Sequence, residues 1–274
     1  MTAAAPWLPA TEATAPPVPG RTAWICHGIL GSKLNWRTFA RRLAGALPGW
    51  SVLTIDHRHH GDSRGAPPPD TVAACAADLA RLAAHSGVPP RLLIGHSFGG
   101  KVVLEAAEHL PFLEQVWVLD TPPGAEPGAG ARAEVRLVLD ALRAAPLPLA
   151  RREDIVPWLE GRGFSAPLAR WMTTNLEPAA GGGFTWRFDL AGATRLIDDY
   201  FQRDDWARVR RPPPGVEVHV VRAARSARWS ADDDAALAAL RPPAYAHTLA
   251  DAGHWLHFDN PEGLLRLIAE HQAG

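Results

Sequence analysis

The residues "GHSFG" at 95–99 have the spacing G-x-S-x-G, in which a serine lies in a sharp turn between a strand and a helix. The apolar run 91–95 and the helix-like run 98–109 supply these two elements. A serine hydroxyl is a weak nucleophile, so it needs a base, and the base needs an acid that orients it. Ser97 is therefore a candidate nucleophile whose partners must come from elsewhere in the chain.

The same residues also begin a second pattern, G-x-x-x-x-G-K, which runs from Gly95 to Lys101 and is typical of a phosphate-binding loop. In that interpretation, Asp120 at the end of an apolar run would direct Mg²⁺. Position 102, however, is Val, where such a loop needs a serine or threonine hydroxyl on the metal. The pattern also gives no role to His254, and we therefore favour the serine interpretation.

The base and the acid of such a site follow the chain order serine, acid, histidine. His254 lies in a loop between the last predicted strand and the final helix, where the base is expected. The usual place for the acid, the loop 222–229, holds no carboxylate, whereas Asp120 ends the strand that follows the helix after the serine. We therefore predict Asp120 as the acid, with Asp232 and Asp251 as alternatives.

An acyl-transfer site also needs hydrogen-bond donors for the oxyanion of its tetrahedral intermediate. The backbone N–H of Phe98 is one candidate, and the loop "HGILGS" at 27–32 offers the N–H of Ile29 as the second. The helix that begins at Phe98 also directs the positive end of its dipole to this point. The candidates for a substrate pocket are His27, Trp36, Trp158, Trp171 and Trp255.

A mainly parallel sheet is predicted to position these residues, because short apolar runs alternate with helix-like runs. Ligands of such sheets bind at the C-terminal ends of the strands, where the polar residues lie here. The predicted strands are 22–28, 51–58, 91–95, 115–120, 216–221 and 244–250. The predicted helices are 33–46, 71–86 with Asp70 as its N-cap, 98–109, 231–240 and 261–271.

The fourth and fifth predicted strands are separated by far more than the dozen or so residues that a crossover needs. Pro- and Gly-rich joints and apolar positions in this segment indicate packed helices near 131–144, 153–160, 166–176 and 191–206. We therefore predict a flexible lead-in at 1–20, an α/β core at 21–121 and 210–274, and a helical cap inserted at 122–209.

Composition narrows the classes of function. The chain has 274 residues, of which 47% are hydrophobic and 21% charged, and its formal net charge is −1. We therefore expect no nucleic-acid partner, and no apolar run is long enough to predict a membrane span. The N-terminal residues lack the charge of a signal peptide, and Cys26 and Cys75 are expected as free thiols, so a cytoplasmic protein is predicted. The oligomeric state is left open.

The histidines in "DHRHHGDS" at 56–63 raise the question of a metal site. We expect His57, His59 and His60 to pack in a loop, because zinc needs further ligands that converge from elsewhere. The sequence analysis thus predicts no metal and no cofactor.

Five motifs, "HGILGS", "DHRHHGDS", "GHSFGGK", "LDTPP" and "AGHW", resemble in this order the α/β-hydrolase superfamily. The set is most similar to the small esterase branch of bacterial YbfF-type esterases and animal abhydrolase-domain 11 proteins, to which Lys101 and "FTWRFDL" at 184–190 also fit. The resemblance implies a cofactor-free hydrolase of acyl esters with its acid at Asp120. Two features depart from the branch: His59 replaces an Asn, and the usual N-terminal antiparallel strands are hard to find before residue 20.

The sequence thus predicts a serine hydrolase that cleaves carboxylic or thio esters of small to medium acyl substrates through an acyl-enzyme. A nucleophilic serine argues against dehalogenase and epoxide-hydrolase chemistry, which in this fold uses an aspartate at the same turn. A cofactor-free perhydrolase or haloperoxidase, a carbon–carbon hydrolase and a hydrolase-fold ligand-binding protein with little turnover stay open as alternatives.

Overall fold

Nine strands and eleven α-helices make up the computed structural model, which describes residues 6–16, 18–126 and 130–272. The strands are β1 (Thr11–Ala13), β2 (Thr22–Cys26), β3 (Ser51–Ile55), β4 (Leu92–His96), β5 (Gln115–Leu119), β6 (Leu176–Pro178), β7 (Phe184–Trp186), β8 (Glu217–Ala223) and β9 (Ala244–Leu249). The helices are α1 (Arg37–Ala46), α2 (Val72–Ser86), α3 (Phe98–Ala106), α4 (Gly130–Arg143), α5 (Ile155–Glu160), α6 (Ala166–Met172), α7 (Leu190–Gln202), α8 (Trp206–Arg210), α9 (Ala231–Ala238), α10 (Leu256–Asp259) and α11 (Pro261–Glu270).

Seven of these strands form one sheet in the order β1-β3-β2-β4-β5-β8-β9. β1 is antiparallel to β3, and every other neighbouring pair in the sheet is parallel. The strands β2 to β5 are buried along their whole length, which is why their sequences are almost continuously apolar. The predicted α/β-hydrolase fold class is confirmed.

Two hydrophobic clusters lie on opposite faces of the sheet. One contains apolar side chains of α2, α3 and the segment between β5 and β8. The other contains side chains of α1 and α11, including Leu43 and Ile268, packed on Trp117 of β5. Both faces of the central strands are therefore covered, and their polar ends remain available at the edge of the sheet. No helix in the described parts of the chain is long and apolar enough to cross a membrane.

The start of α2 differs from its prediction. Thr71, not Asp70, is the N-cap, because its backbone is extended and its side chain accepts a hydrogen bond from the N–H of Ala74. The Asp70 carboxylate instead contacts the ring of His59 and the guanidinium of Arg195. The prediction of Asp70 as the N-cap was thus wrong.

The segment between β5 and β8 contains α4 to α8 and an antiparallel hairpin of β6 and β7. The hairpin was not predicted, and it explains why the helix predicted at 166–176 ends at Met172. The helix predicted at 191–206 is divided into α7 and α8, because Arg203 at the end of α7 has an extended backbone. Short strands in this segment carry no alternating apolar pattern long enough to be recognised from sequence.

The predicted flexible lead-in at 1–20 was wrong where it covers residues 11–13, which form β1 in the sheet. The neighbouring Ala10 is also fixed, because its N–H donates to Ser63 Oγ at 2.7 Å and its carbonyl accepts from the N–H of Asp56 at 2.9 Å. Residues 1–5 and 17 of the lead-in lie outside the described residues. Thr11 and Ala13 are exposed and Glu12 is half-buried, so this three-residue strand has no apolar pattern that predicts it.

Candidate active site

Ser97 lies between β4 and α3 with φ +52° and ψ −120°, a backbone conformation that is strained for a residue with a side chain. Two glycines permit this turn. A Cβ at Gly95 would overlap the carbonyl oxygen of Gly99, and a Cβ at Gly99 would lie 2.6 Å from the carbonyl oxygen of Cys26. The turn is anchored by the N–H of Ser97, which donates to the carbonyl of Leu119 at 3.0 Å. Ser97 is therefore held at the C-terminal edge of the sheet.

Asp120 follows β5 at the same edge, and its carboxylate is completely buried. The Oδ2 atom lies 2.8 Å from Nδ1 of His254 and accepts from Ser226 Oγ at 2.6 Å. The Oδ1 atom accepts from Nε1 of Trp229 at 2.7 Å and from the N–H of Ala223 at 3.1 Å. Four donors thus hold this carboxylate in one orientation against the imidazole.

The hydrogen bonds decide the charge of Asp120. Burial by itself raises the pKa of the carboxyl, but the hydrogen bond and charge of His254 and the donors Ser226 and Trp229 lower that pKa by more. The net result is a pKa well below the ordinary value, so Asp120 is ionised at neutral pH. Because an ionised carboxylate only accepts, Nδ1 of His254 carries the proton and Nε2 keeps its lone pair.

The ring of His254 is neutral for a different reason. Burial lowers its pKa below 6.5, and the positive charge of Arg228 lowers it further, while Asp120 acts in the opposite direction. The loop that carries His254 is fixed to the end of β4, since Nε2 of His96 donates to the carbonyl of His254 at 2.7 Å. The imidazole is therefore an available proton acceptor at neutral pH.

The two alternative acids lie elsewhere. Asp232 is in the first turn of α9, a helix that is capped by Ser230. Asp251 lies in the turn before His254, and its carbonyl accepts from Arg225. The hydrogen bonds of the described residues join His254 to Asp120 and to neither of these alternatives. Asp120 is the acid that the fold brings to this histidine.

The loop after β2 lies directly against Ser97. A Cβ at Gly28 would be 3.1 Å from Cβ of Ser97, which is a tighter contact than most side chains make. Two N–H groups of the loop are already used: that of Leu30 donates to Nε2 of His60 at 3.1 Å, and that of Gly31 donates to the carbonyl of Gly28 at 3.0 Å. These bonds fix the loop next to the serine.

The N–H groups of Ile29 and Phe98 have no hydrogen-bond partner within the described chain. Phe98 begins α3, where the first amides of a helix lack an intrahelical acceptor. Ile29 lies between two residues of the fixed loop and lines the same cleft as Ser97. Two N–H donors without a partner are thus found at residues that adjoin or share the cleft of Ser97.

Ser97 and His254 both line one cleft of about 790 Å³, which includes space open to solvent. No hydrogen bond joins Oγ of Ser97 to Nε2 of His254 in the part of the chain described here. Such contacts are often longer in enzymes without substrate and shorten in the complex. The fold thus brings together the three predicted catalytic side chains, with the final contact left to substrate binding.

Four of the five predicted pocket residues line this cleft, namely His27, Trp36, Trp171 and Trp255. Trp158 does not line it, and the prediction for this residue was wrong. Its ring is half-buried, with Nε1 3.4 Å from the carbonyl of Ala141 and the guanidinium of Arg162 stacked on its face. α5, on which it lies, turns this side chain towards α4.

Several lining residues were not predicted. The opposite wall is formed by Val135, Val138, Ile197, Tyr200 and Phe201 of α4 and α7, and the rim includes Arg228. The apolar periodicity of the two helices was visible in the sequence, but it does not tell which apolar face meets the sheet edge. The site is therefore an apolar cleft with one cation at its rim.

The histidines of the "DHRHHGDS" loop have packing roles. Nδ1 of His60 donates to the carbonyl of Arg58 at 2.9 Å, so its Nε2 accepts from the N–H of Leu30. The His59 ring lies between the carboxylates of Asp70 and Asp189. The loop thus connects the neighbourhood of Ser97 to the segment that carries α7.

Known proteins share the family and the fold of this chain. Residues 25–267 of the chain match the family described as "Alpha/beta hydrolase family". The sn-1-specific diacylglycerol lipase ABHD11 of Mus musculus is 28% identical over 254 residues, which cover 88% of this chain and 78% of that protein. The protein of the same name in Xenopus tropicalis is 30% identical over 260 residues, which cover 91% of this chain and 77% of that protein.

Solved structures show the same fold. A marine microorganism esterase superposes with a TM-score of 0.82 at 23% identity, and the match covers 97% of this chain and 99% of that one. The chain therefore belongs to the α/β-hydrolase family, near its abhydrolase-domain 11 branch.

Proposed function

We propose that this carboxylic ester hydrolase cleaves esters or thioesters of small to medium acyl groups through an acyl-enzyme on Ser97. The observation that supports this most is the hydrogen bond of 2.8 Å between Nδ1 of His254 and the buried, ionised Asp120, in the cleft that also holds Ser97. The diacylglycerol lipases to which the chain is similar act on substrates that are themselves carboxylic esters.

In the acylation step, Oγ of Ser97 attacks the carbonyl carbon of the substrate while Nε2 of His254 takes the hydroxyl proton. The carbonyl oxygen becomes an oxyanion and accepts hydrogen bonds from the N–H groups of Ile29 and Phe98. Collapse of this intermediate breaks the bond to the leaving alcohol or thiol, which receives the proton from His254. The acyl group stays on Ser97.

In the deacylation step, water replaces the alcohol. His254 takes a proton from the water, and the resulting hydroxide attacks the acyl carbon of the Ser97 ester. The second intermediate collapses to release the carboxylic acid, and the proton returns to Ser97. Asp120 stays ionised throughout, holds the tautomer of His254 and stabilises the imidazolium in both steps.

The segment 122–209 acts in this proposal as a cap, while 21–121 and 210–274 form the core. α4 and α7 of the cap supply the apolar wall against which an acyl chain packs, through Val138, Ile197 and Phe201. This apolar wall favours acyl groups in the cleft, and their small to medium length is part of the proposal.

Ser97→Ala is expected to abolish hydrolysis of p-nitrophenyl esters, by about 10³-fold or more in kcat, because no other group is placed to form the acyl-enzyme. The measurement compares acyl chains from acetyl to dodecanoyl, and the chain with the highest kcat/KM identifies the preferred length. Ser86→Ala, at the exposed end of α2, is the matched control and keeps full activity. Equal turnover by the Ser97→Ala chain would contradict the proposal.

Labelling with a fluorophosphonate tests the nucleophile without depending on the choice of ester. The native chain is expected to form one covalent adduct on Ser97, detected by mass spectrometry, and the Ser97→Ala chain none. Perhydrolase and carbon–carbon hydrolase chemistry would use the same three side chains. A perhydrolase is detected by its product from acetate, peroxide and bromide. A carbon–carbon hydrolase would leave the simple esters uncleaved.

A further inference from the structure

Three histidines from distant parts of the chain meet on the α1 and α11 side of the sheet, away from the cleft. His219 belongs to β8, His247 belongs to β9, and His271 follows α11. Each offers one ring nitrogen, and these nitrogens all lie within 4.8 Å of one another. We refer to His219, His247 and His271 as the trihistidine cluster.

The ring of His219 is fixed and completely buried. It lies between the parallel rings of Trp117, with centroids 4.2 Å apart, and Tyr245, with centroids 4.9 Å apart. Its Nε2 atom is buried without a hydrogen-bond partner, and the nearest acidic oxygen is Oε2 of Glu217 at 3.5 Å. A buried polar atom of this kind calls for an explanation, because such groups are nearly always satisfied.

The neighbouring acceptors determine which nitrogen of each ring keeps its lone pair. Glu217 beside Nε2 of His219 favours the proton on that nitrogen, which leaves the lone pair on Nδ1. Nδ1 of His219 is 3.0 Å from Nε2 of His247, so two ring nitrogens converge at this point. Nδ1 of His271 lies 2.9 Å from the carbonyl of Leu267 and must donate to it, so Nε2 is left with the lone pair.

For His271 this is the pattern that metal-bound histidines show, with the second ring nitrogen bonded to a backbone carbonyl. We propose that the trihistidine cluster binds one divalent transition-metal ion of the kind that prefers imidazole, with Zn²⁺ as the reference ion. Three histidines leave the fourth position for water.

The distances permit such a site with small movements. Zn–N bonds of about 2.0–2.1 Å in a tetrahedral arrangement place the ligand nitrogens roughly 3.4 Å apart. His219 and His247 are already near that separation. His271 is half-exposed at the end of a helix, so rotation of its side chain can close the remaining gap.

The bound ion would lie away from the cleft that holds Ser97. His219 precedes Ala223, whose N–H holds Asp120, by four residues, which is about 13 Å along a strand. The ion would cross-link β8 and the edge strand β9 to the end of α11, whose backbone is already fixed by a hydrogen bond from Gln115 to the carbonyl of His271. It would thus stabilise the C-terminal part of the fold without contacting substrate.

The test uses the full chain after treatment with EDTA and dialysis. Calorimetric titration with ZnCl₂ is expected to show one tight site, and Co²⁺ is expected to give the visible absorption bands of a four-coordinate ion. His247→Gln and His271→Gln each remove a ligand and should weaken Zn²⁺ at least about 10- to 100-fold, the range seen when only a supporting group is lost. Glu217→Gln, which retains all three rings, should weaken it within that range.

Two controls separate this site from other histidines. His85→Gln, at an exposed position of α2, should bind Zn²⁺ as the native chain does. His254→Ala should also retain the tight site, because the cluster lies outside the cleft. Zn²⁺ should raise the midpoint of thermal unfolding of the native chain and not that of His271→Gln, while ester hydrolysis by His271→Gln stays unchanged.

Three results would overturn the proposal: a native chain that binds no Zn²⁺ more tightly than micromolar, Zn²⁺ binding unaffected by His247→Gln and His271→Gln, or tight binding lost in His254→Ala. If the two ligand variants do not fold, Glu217→Gln decides the question, because its side chain is partly exposed. In that variant, unchanged affinity contradicts the metal site and indicates a cluster of stacked rings only.

Discussion

At the scale of single residues, Arg228 is the charged group that most affects the cleft. It lines the same space as Ser97 and His254, and it takes part in none of the ion pairs that the described residues form. Its positive charge lowers the pKa of His254 after burial has already done so. It is also placed to attract a negatively charged part of a substrate, which no apolar wall residue can do.

Arg228→Gln is expected to shift the acidic limb of the pH profile of kcat/KM to higher pH. The catalytic base must be neutral, so activity falls as the pH drops through the pKa of His254, and removing a nearby positive charge raises that pKa. The measurement is kcat/KM for a neutral ester between pH 4 and 8.

The same variant should lose preference for acidic substrates. The ratio of kcat/KM for a hemisuccinate ester to that for the matched butyrate ester should fall by up to about 5-fold, as expected for one partly solvated ion pair. Arg225→Gln is the control, since Arg225 contacts the outer loop through the carbonyl of Asp251. An unchanged ratio and an unchanged acidic limb would show that Arg228 does not act on the cleft.

At the scale of elements, one buried lysine connects α3 to the segment between β5 and β8. Nζ of Lys101 donates to the carbonyls of Gly124 at 2.8 Å, Tyr200 at 3.0 Å and Arg203 at 2.8 Å. The ammonium also lies over the ring of Tyr200, 4.3 Å from its centroid. The helix that begins at the nucleophile turn therefore also fixes the end of α7, which forms a wall of the cleft.

Lys101→Met is expected to destabilise the fold by roughly 2–4 kcal/mol, because buried carbonyls lose their donor while the apolar stem keeps its volume. The measurement is urea-induced unfolding followed by circular dichroism. KM should also rise more than kcat falls, since α7 shapes the cleft and does not take part in the proton transfers.

The control for this prediction is Arg42→Met, which removes a surface ion pair with Glu262 and should change stability by less than about 1 kcal/mol. If Lys101→Met were as stable as the control, the three carbonyl contacts would not hold α7 to α3.

At the scale of the whole molecule, the sheet separates two hydrophobic clusters, and buried histidines are found in and beside both. His60 lies under the loop after β2, and His257 stacks on Trp36 with ring centroids 3.8 Å apart. Burial lowers the pKa of each ring to about 3, and neighbouring histidine charges add to the effect. These rings are neutral in the folded chain and take up protons when it unfolds.

Stability is therefore expected to fall as the pH drops from about 6.5 towards 3. The folded pKa of such a histidine lies below the unfolded value, so in this window the unfolded chain binds more protons. Each ring contributes a slope of up to about 1.4 kcal/mol per pH unit. Above pH 6.5 neither state binds the proton, and this contribution becomes constant.

His257→Phe tests this contribution, because both ring nitrogens of His257 lack a hydrogen-bond partner and a phenyl ring can keep the stacking on Trp36. The slope of unfolding free energy against pH between 4 and 6 should decrease by up to one histidine's share. His109→Phe, at an exposed position, serves as the control and should leave the slope unchanged. Equal slopes in the native chain and His257→Phe would contradict the argument.

The sequence alone determined the fold class, the parallel strands β2, β3, β4, β5, β8 and β9, and the identity of the candidate catalytic residues. Those conclusions depend on local rules: apolar runs form buried strands, and G-x-S-x-G permits a turn that other residues forbid. The order of motifs along the chain placed Ser97, Asp120 and His254 at the same edge of the sheet, where the structure brings them together. Their catalytic roles and the cytoplasmic location stay predictions.

Only the tertiary structure decided which long-range partners meet. Ser226 and Trp229 fix Asp120, Arg228 joins the rim of the cleft, Trp158 faces away from it, and the trihistidine cluster forms from β8, β9 and the end of α11. Each of these contacts joins residues that are far apart in the chain or depends on which face of a helix meets the sheet. The period of a sequence pattern fixes how side chains alternate within one element, but the packing between elements sets their direction in space.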